Sequence, residues 1–127
     1  MISSQQKKQL IFLLLSALWG YLIFYLSSVP NLASTLPVSW DFILRKMAHI
    51  FVFFGLSYLL ANSFDCQQRR YLFIVIVAVI SYALIDELHQ VVVPGRHGSP
   101  KDIAIDSCGV FLGICLYKFK PFNKFRK

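Results

Sequence analysis

Four of the six acidic residues in this chain fall between positions 85 and 106, in the stretch IDELHQVVVPGRHGSPKDIAID. They are Asp86, Glu87, Asp102 and Asp106, and the stretch joins two hydrophobic runs. Charge at the edge of an apolar core is costly and usually functional. Carboxylates beside a histidine and a cation can perform general acid–base chemistry. They can equally form an ion-pair cluster that only fixes helix packing.

The polar residues in and before this stretch divide into two sets by the chemistry they could perform. Asp86 and Gln90 lie four residues apart, and Glu87 and Gln90 three apart, so a helix would place them on a shared surface. His49 follows Lys46 by three residues on the same helical face, so Lys46 and the nearby carboxylates are its expected partners. The candidate acid–base residues are Glu87, Asp86 and His49, and the candidate substrate- or anion-binding residues are Lys46, Arg96, Gln90, Asp102 and Asp106.

Arg96 lies in a turn-forming link over residues 92–100 that contains the dipeptide Pro94-Gly95. The link should bring Arg96 back toward the carboxylates. Arginine pairs in a bidentate manner with carboxylate or phosphate. Arg96 therefore has two interpretations, an internal counter-ion to Asp or Glu or a hook for a lipid phosphate, and the first is slightly favoured.

A third set of residues shares one face of the last apolar segment. Asp102, Asp106, Gly109 and Gly113 are spaced 4, 3 and 4 residues apart. The G-x-x-x-G spacing predicts a close approach by another helix, and Asp106 is then expected to point into the protein and not at lipid. The alternative is that the aspartates only cap the helix N-terminus, which is about as well supported for Asp102 and less so for Asp106.

No metal or cofactor is expected from the motifs. H-E-x-x-H is absent, and Glu87 and His89, two residues apart, do not face each other on a helix. Cys66, Cys108 and Cys115 show no CxxC spacing, and the latter two are expected to be small buried residues. A GxSxG or SxxK nucleophile motif and a glycine-rich phosphate loop are also missing.

The composition indicates a membrane protein. The 127 residues are 57% hydrophobic and 15% charged, with a mean hydropathy of +0.60, whereas soluble domains average about 25% charged residues. Four apolar segments predict helices over roughly residues 8–28, 42–62, 69–91 and 101–119, each close to the length of a membrane span. The expected fold is an all-α integral membrane four-helix bundle, with residues 1–127 forming a single domain.

The basic residues predict its orientation. The net charge is +7, but Lys and Arg lie at the ends of hydrophobic runs and in the C-terminal tail, which suits anionic headgroups and not nucleic acid. Nine of the 13 lie at the two termini and in the 62–70 loop, and the side richer in Lys and Arg faces the cytoplasm. Both termini are therefore expected inside (N-in/C-in), with the 27–45 and 86–102 links outside. All the candidate residues then gather at one extracytoplasmic level.

The chain resembles the VanZ-like family of small bacterial membrane proteins in three spaced motifs. Lys46 and His49 match K-x-x-H, and residues 86–96 match D-E-x-x-Q-x-x-x-P-G-R. Residues 102–113 match D-x-x-x-N-x-x-G-x-x-x-G, except that Asp106 stands where the motif has Asn. The resemblance covers about residues 40–117, and its specificity comes from the joint occurrence of the three motifs.

The resemblance implies a multi-pass protein of the bacterial cytoplasmic membrane and a link to glycopeptide (teicoplanin) resistance, as for the family's namesake, but no particular reaction. We expect a protein that binds or modifies an envelope lipid or a lipid-linked cell-wall precursor at the extracytoplasmic face. Its partners would be membrane lipids and not nucleic acid. The alternative is a non-enzymatic interaction or structural protein whose polar residues form an ion-pair network. A transporter is less favoured because four helices are few.

Overall fold

The computed structural model describes residues 2–30, 37–64, 66 and 68–119. The described part consists of four α-helices without a strand: α1 (Ser4–Ser28), α2 (Val38–Ser63), α3 (Arg69–Val92) and α4 (Pro100–Phe119). This confirms the all-α prediction. Every helix begins and ends within four residues of the predicted boundary, so the apolar runs with their polar ends are what fold as helices.

The sequence at its two ends explains the extent of α1. The helix begins with a capping box in which Gln6 N donates to Ser3 Oγ at 3.1 Å and Ser3 N donates to Gln6 Oε1 at 2.9 Å. It ends at Ser28, two residues before Pro30. Proline cannot continue a helix, and it restricts the residue before it. The helix α1 therefore ends at the boundary predicted for the first helix.

Hydrogen bonds between helices show that α1 and α3 run in the same direction. The Tyr82 hydroxyl donates to the Gly20 carbonyl at 2.7 Å. Near the ends of the same two helices, Gln90 Nε2 donates to Ser27 Oγ at 2.8 Å. The ends of α1 and α3 therefore lie at the same level of the bundle, which is where α2 and α4 begin.

The closest packing is between α2 and α4. A Cβ atom at Gly109 would overlap the main chain of Ile50, and one at Gly113 would overlap Oγ of Ser57. Ser57 Oγ also donates to the Val110 carbonyl at 3.2 Å. Because both contacts advance along the two helices in the same sense, α2 and α4 are parallel. The prediction that the G-x-x-x-G face admits a helix is confirmed, and α2 is that helix.

Three of the four helices are long and apolar enough to cross a membrane. These are α1, α2 and α3, with mean hydropathies of 2.1, 1.5 and 2.1 over their most apolar windows. Among the described helices, α4 does not qualify, because its 20 residues include Lys101, Asp102, Asp106 and Lys118. Many large apolar side chains of α1 are exposed, as expected for a surface that lipid covers.

The N-in/C-in orientation stays a prediction. The charge count behind it includes positions 120, 124, 126 and 127, which lie outside the described residues. The structure shows that successive helices run in opposite directions, and any orientation in the membrane must be consistent with this.

The cysteines are placed opposite to expectation. Cys108 and Cys115 are exposed, and Cys66 is buried, so the prediction that the two cysteines of α4 are small buried residues is wrong. The buried face of α4 is the one that contains Gly109 and Gly113. Cys108 and Cys115 point away from that face, so hydrophobicity alone did not identify which side of α4 is covered.

We expect Gly109→Ala to lower the free energy of unfolding by about 1–3 kcal/mol, the usual cost of overpacking, since the added methyl group would overlap the backbone of α2. The measurement is the melting temperature of the protein purified in detergent micelles. Gly20→Ala is the matched control, because a Cβ there meets only the Tyr82 hydroxyl, at 3.9 Å. Equal melting temperatures for the two variants would contradict the close packing of α2 on α4.

Candidate functional site

The predicted site residues converge at one end of the bundle, where α2 and α4 begin and α3 ends. Each of these three helices contributes at least two of them, and the α3–α4 link contributes Arg96. Most of the acidic and amide members are buried although they are polar. We call the following residues the polar cluster: Lys46, His49, Asp86, Glu87, Gln90, Asp102 and Asp106.

His49 contacts two carboxylates from two different helices. Its Nδ1 lies 2.9 Å from Oδ1 of Asp106 and 3.9 Å from Oε1 of Glu87. Asp106 is 0% exposed and Glu87 is 3% exposed. Of the partners expected for His49, the carboxylates contact it and Lys46 does not, because both α2 side chains point toward α4 and Lys46 meets Asp102 there.

Lys46 forms an ion pair with Asp102 across the α2–α4 contact. The pair is largely covered, since the lysine side chain is 24% exposed and the aspartate side chain 9%. Asp102 is therefore more than a helix cap. The Oγ of Ser99 accepts from Lys101 N at 3.3 Å, and this serine takes the capping position before α4.

The link between α3 and α4 folds back onto the last turns of α3. Gly95 has a φ of 74°, in the left-handed region that favours glycine, and it forms the turn. Ser99 N then donates to Oε2 of Glu87 at 2.7 Å. A Cβ atom at Gly98 would overlap the Glu87 carbonyl. One oxygen of Glu87 thus holds the link in place, and the other faces His49.

Asp86 belongs to a separate chain of hydrogen bonds that reaches α1. Gln90 Nε2 donates to Oδ2 of Asp86 and to Oγ of Ser27, both at 2.8 Å. Among the described residues, Oδ1 of Asp86 has no hydrogen-bond partner. Sequence reasoning missed Ser27, whose only signal was a hydroxyl in the last turn of an apolar helix.

Arg96 binds the main chain and not a carboxylate. Its Nη2 donates to the Leu26 carbonyl at 3.1 Å, and no carboxylate of the described chain lies within 4.0 Å of its side-chain nitrogens. The slightly favoured interpretation of Arg96 as an internal counter-ion to Asp or Glu is thus wrong as far as direct ion pairs are concerned. Burial lowers the pKa of the Arg96 guanidinium, and so does the charge of Arg45 nearby. The charges of Asp86 and Glu87 act in the opposite direction without reversing the lowered pKa, so an added anion would stabilise the Arg96 cation further.

A cavity of about 550 Å³ opens beside the polar cluster. Three cationic residues line it, Arg45, Lys46 and Arg96, together with the carboxylates of Asp86 and Asp102 and the imidazole of His49. Its remaining walls are mostly apolar side chains of α1 and α2, including Ile23, Leu26, Phe42, Ala48 and Val52. Glu87 and Asp106 do not line it, and their burial places them deeper in the bundle.

Of three further basic residues near the site, two line the cavity and one does not. His97 lines the cavity, and so does Arg45, which sequence reasoning also missed although it precedes Lys46. His89 instead stacks on Phe24, with ring centroids 4.7 Å apart, and its Nε2 lies 2.9 Å from Ser28 Oγ. His89 therefore packs against α1 and does not join the polar cluster.

One subset of the polar cluster has the residue types of a metal site. One donor atom from each of His49, Glu87 and Asp106 lies within 4.8 Å of the others. The expectation of no metal had compared Glu87 only with His89, its neighbour in sequence. The fold instead brings His49 to Glu87 from another helix.

Comparison with protein families supports the resemblance seen in the motifs. A sequence model of the VanZ/LLP1 family matches residues 12–121. The match includes every residue of the polar cluster and parts of all four helices, so it extends well beyond the 40–117 range of the motifs. Comparison with curated proteins and with solved structures gave no match.

We expect Lys46→Met to lower the free energy of unfolding by about 2–3 kcal/mol, because it leaves the Asp102 carboxylate covered and unpaired. The double variant Lys46→Asp/Asp102→Lys should recover part of this loss. Chemical unfolding in detergent micelles measures both. Arg45→Met is the control, since its partner Asp41 is one helical turn away in a more exposed pair, and it should cost less than about 1 kcal/mol. If the exchanged pair unfolds as readily as Lys46→Met, the ion pair does not stabilise the fold.

Proposed function

Because the chain belongs to the VanZ/LLP1 family, we propose that it is a VanZ-like integral membrane protein that binds the anionic headgroup of an envelope lipid or lipid-linked cell-wall precursor. The binding site is the cavity beside the polar cluster. The observation that carries the proposal is the convergence of three cationic residues, Arg45, Lys46 and Arg96, on one cavity with apolar walls, where they outnumber the two carboxylates of the lining, Asp86 and Asp102.

Arg96 is the residue best suited to hold the headgroup. Lys46 is already paired with Asp102, and Arg45 with Asp41. Arg96 uses one nitrogen for a main-chain carbonyl, and its Nε has no partner among the described residues. A guanidinium offers five N–H donors in a planar fork that matches phosphate. A bound phosphate would therefore satisfy donors that the protein leaves free.

The apolar walls favour a lipid over a free phosphate. Ile23 and Leu26 of α1 and Phe42, Ala48 and Val52 of α2 line the cavity. A phosphate ion would leave this apolar surface uncovered. A molecule with a charged head and an apolar tail would cover the walls and reach the cations at once, which is the chemistry of a membrane lipid.

The proposed location is the bacterial cytoplasmic membrane, with both termini inside and the cavity at the extracytoplasmic face. The Lys and Arg count supports this orientation, and the alternating helix directions are compatible with it. Lipid-linked wall precursors are used at that face. Sequestering or altering them there would affect the response to a glycopeptide such as teicoplanin, the link that the family resemblance implies.

Modification of the bound lipid is a second candidate function, and the free oxygen of Asp86 favours it. Asp86 and His49 both line the cavity, and Oδ1 of Asp86 has no partner among the described residues. Asp86 would accept a proton from a hydroxyl group or a water molecule in the cavity, with His49 as its acid–base partner. Glu87 is less suited to this step, since it is turned toward His49 and the link.

We expect Arg96→Gln to weaken binding of an anionic lipid about tenfold or more. The substitution removes a positive charge that forms no ion pair with a carboxylate of the described chain and is therefore available to the lipid headgroup. The measurement is binding of phosphatidylglycerol to purified protein in phosphatidylcholine nanodiscs, followed by native mass spectrometry. Arg69→Gln is the matched control, since it removes an exposed arginine at the other end of α3. Equal losses in the two variants would indicate only non-specific attraction to charge and would contradict the cavity as the site.

Asp86→Asn separates binding from modification in the same assay. It removes a negative charge from the cavity wall, so binding of the anionic lipid should be retained or strengthened. Loss of an envelope or glycopeptide phenotype with binding intact would support acid–base chemistry at Asp86. A phenotype that follows abundance or melting temperature alone would support the ion-pair network as a structural device.

The orientation predicts which engineered cysteines a membrane-impermeant thiol reagent reaches in intact cells. In a variant whose three native cysteines are replaced by alanine, His97→Cys should be labelled without permeabilisation. Arg69→Cys should be labelled only after permeabilisation, because it lies at the opposite end of α3 from the link. The reverse pattern would overturn the N-in/C-in assignment.

A further inference from the structure

We propose that His49, Glu87 and Asp106 together bind one divalent transition-metal cation, Zn²⁺ or Mn²⁺. One donor atom from each residue lies within 4.8 Å of the others. The three ligands come from α2, α3 and α4 respectively, so the site exists only in the folded bundle. This inference does not rest on the proposed lipid binding.

Two buried carboxylate oxygens at this position have no other role in the described structure. Glu87 is 3% exposed and Asp106 is 0% exposed. Within the described chain, Oε1 of Glu87 and Oδ2 of Asp106 have no hydrogen-bond partner. Buried carboxylate oxygens are normally hydrogen-bonded or coordinate a metal, because desolvating them otherwise costs several kcal/mol. Oε1 of Glu87 is also the atom that faces His49 Nδ1, at 3.9 Å.

The other cationic side chains nearby in the described chain form no ion pair with these two carboxylates. Lys46 is paired with Asp102, and Arg96 is bonded to the Leu26 carbonyl. The two inner carboxylates are therefore left with a single imidazole between them. A divalent cation would balance both carboxylates, and His49 would then bind it through a neutral ring nitrogen.

The surroundings of Glu87 resemble the support that metal ligands usually have. Its second oxygen accepts a hydrogen bond from Ser99 N at 2.7 Å, which fixes the direction of the carboxylate. The tight packing of Gly98 on the Glu87 carbonyl holds the link in the position where it can donate that bond. One side of the carboxylate is thus held by the link, and the other is free for a ligand.

The donor set indicates the kind of cation. One imidazole nitrogen and two carboxylate oxygens suit Zn²⁺ or Mn²⁺ better than Ca²⁺ or Mg²⁺, which prefer oxygen alone. Three protein ligands also leave a coordination position open, as in catalytic metal sites. His49 lines the cavity, so the open position would lie next to the cavity. Glu87, as a ligand, would not serve as a free base.

The test titrates wild-type protein in detergent micelles, stripped with a chelator, with Zn²⁺ or Mn²⁺ alone in a calorimeter. Saturable binding of one cation per chain and a rise in melting temperature are expected. Glu87→Gln should weaken binding about 100-fold or more, beyond the usual effect of losing a supporting group. His89→Gln should bind as wild type, since it removes an imidazole that packs against α1.

Two outcomes would overturn the metal site. The first is the absence of saturable binding to the folded wild-type protein, a result that needs no variant. The second is an equal loss in His89→Gln and Glu87→Gln, which would indicate adventitious binding to histidine. Should Glu87→Gln fail to fold, Glu87→Asp replaces it as the ligand variant. Arg96→Gln should keep full cation affinity even if it loses lipid, so failure of one proposal is distinguishable from failure of the other.

Discussion

The close parallel packing of α2 on α4 is the constraint on which the rest of the structure depends. Gly109 and Gly113 let α4 approach α2 so closely that neither position has room for a Cβ atom. The same register, continued toward the start of both helices, places Lys46 beside Asp102 and His49 beside Asp106. A larger residue at Gly109 or Gly113 would push α4 away from α2 and separate both pairs at once. The small residues therefore position the site as well as the fold.

The charges within the cluster are only partly paired with one another. Asp102 has a lysine and Asp106 has a histidine. Asp86 and Glu87 are held by neutral donors, the Gln90 amide and the Ser99 backbone N–H, while Arg96 lies on a carbonyl. A structural network would be expected to pair these charges, because an unpaired buried charge costs several kcal/mol. Their separation leaves Arg96 and Asp86 at the cavity and Glu87 turned inward, an arrangement that added ligands of opposite charge would complete.

The sequence predicted the meeting of these residues better than it predicted their partners. Short links and alternating helix directions are enough to bring residues 46–49, 86–90 and 102–106 to one level, and the spacing of each motif identified the helix face involved. Periodicity gives a face, but it does not give the rotation of that face toward a particular neighbour. For this reason the sequence predicts Lys46 and carboxylates around His49 without identifying Asp106 as the one in contact, and it does not reveal that the side of α4 with Cys108 is exposed. The hydrogen bond from Arg96 to Leu26 depends on the path of the link, which no residue pattern specifies.

The adjacent acidic pair on α3 shows why one motif can serve two purposes. Neighbouring residues on a helix point about 100° apart, and of this pair only Asp86 lines the cavity. Glu87 points inward to His49 and the link. Asp106, which stands where the resembled motif has Asn, then gives the interior a second carboxylate in place of a neutral amide. An asparagine would leave Glu87 as the only acid beside His49. The aspartate supplies the extra charge that makes a bound cation the most direct way to balance the interior.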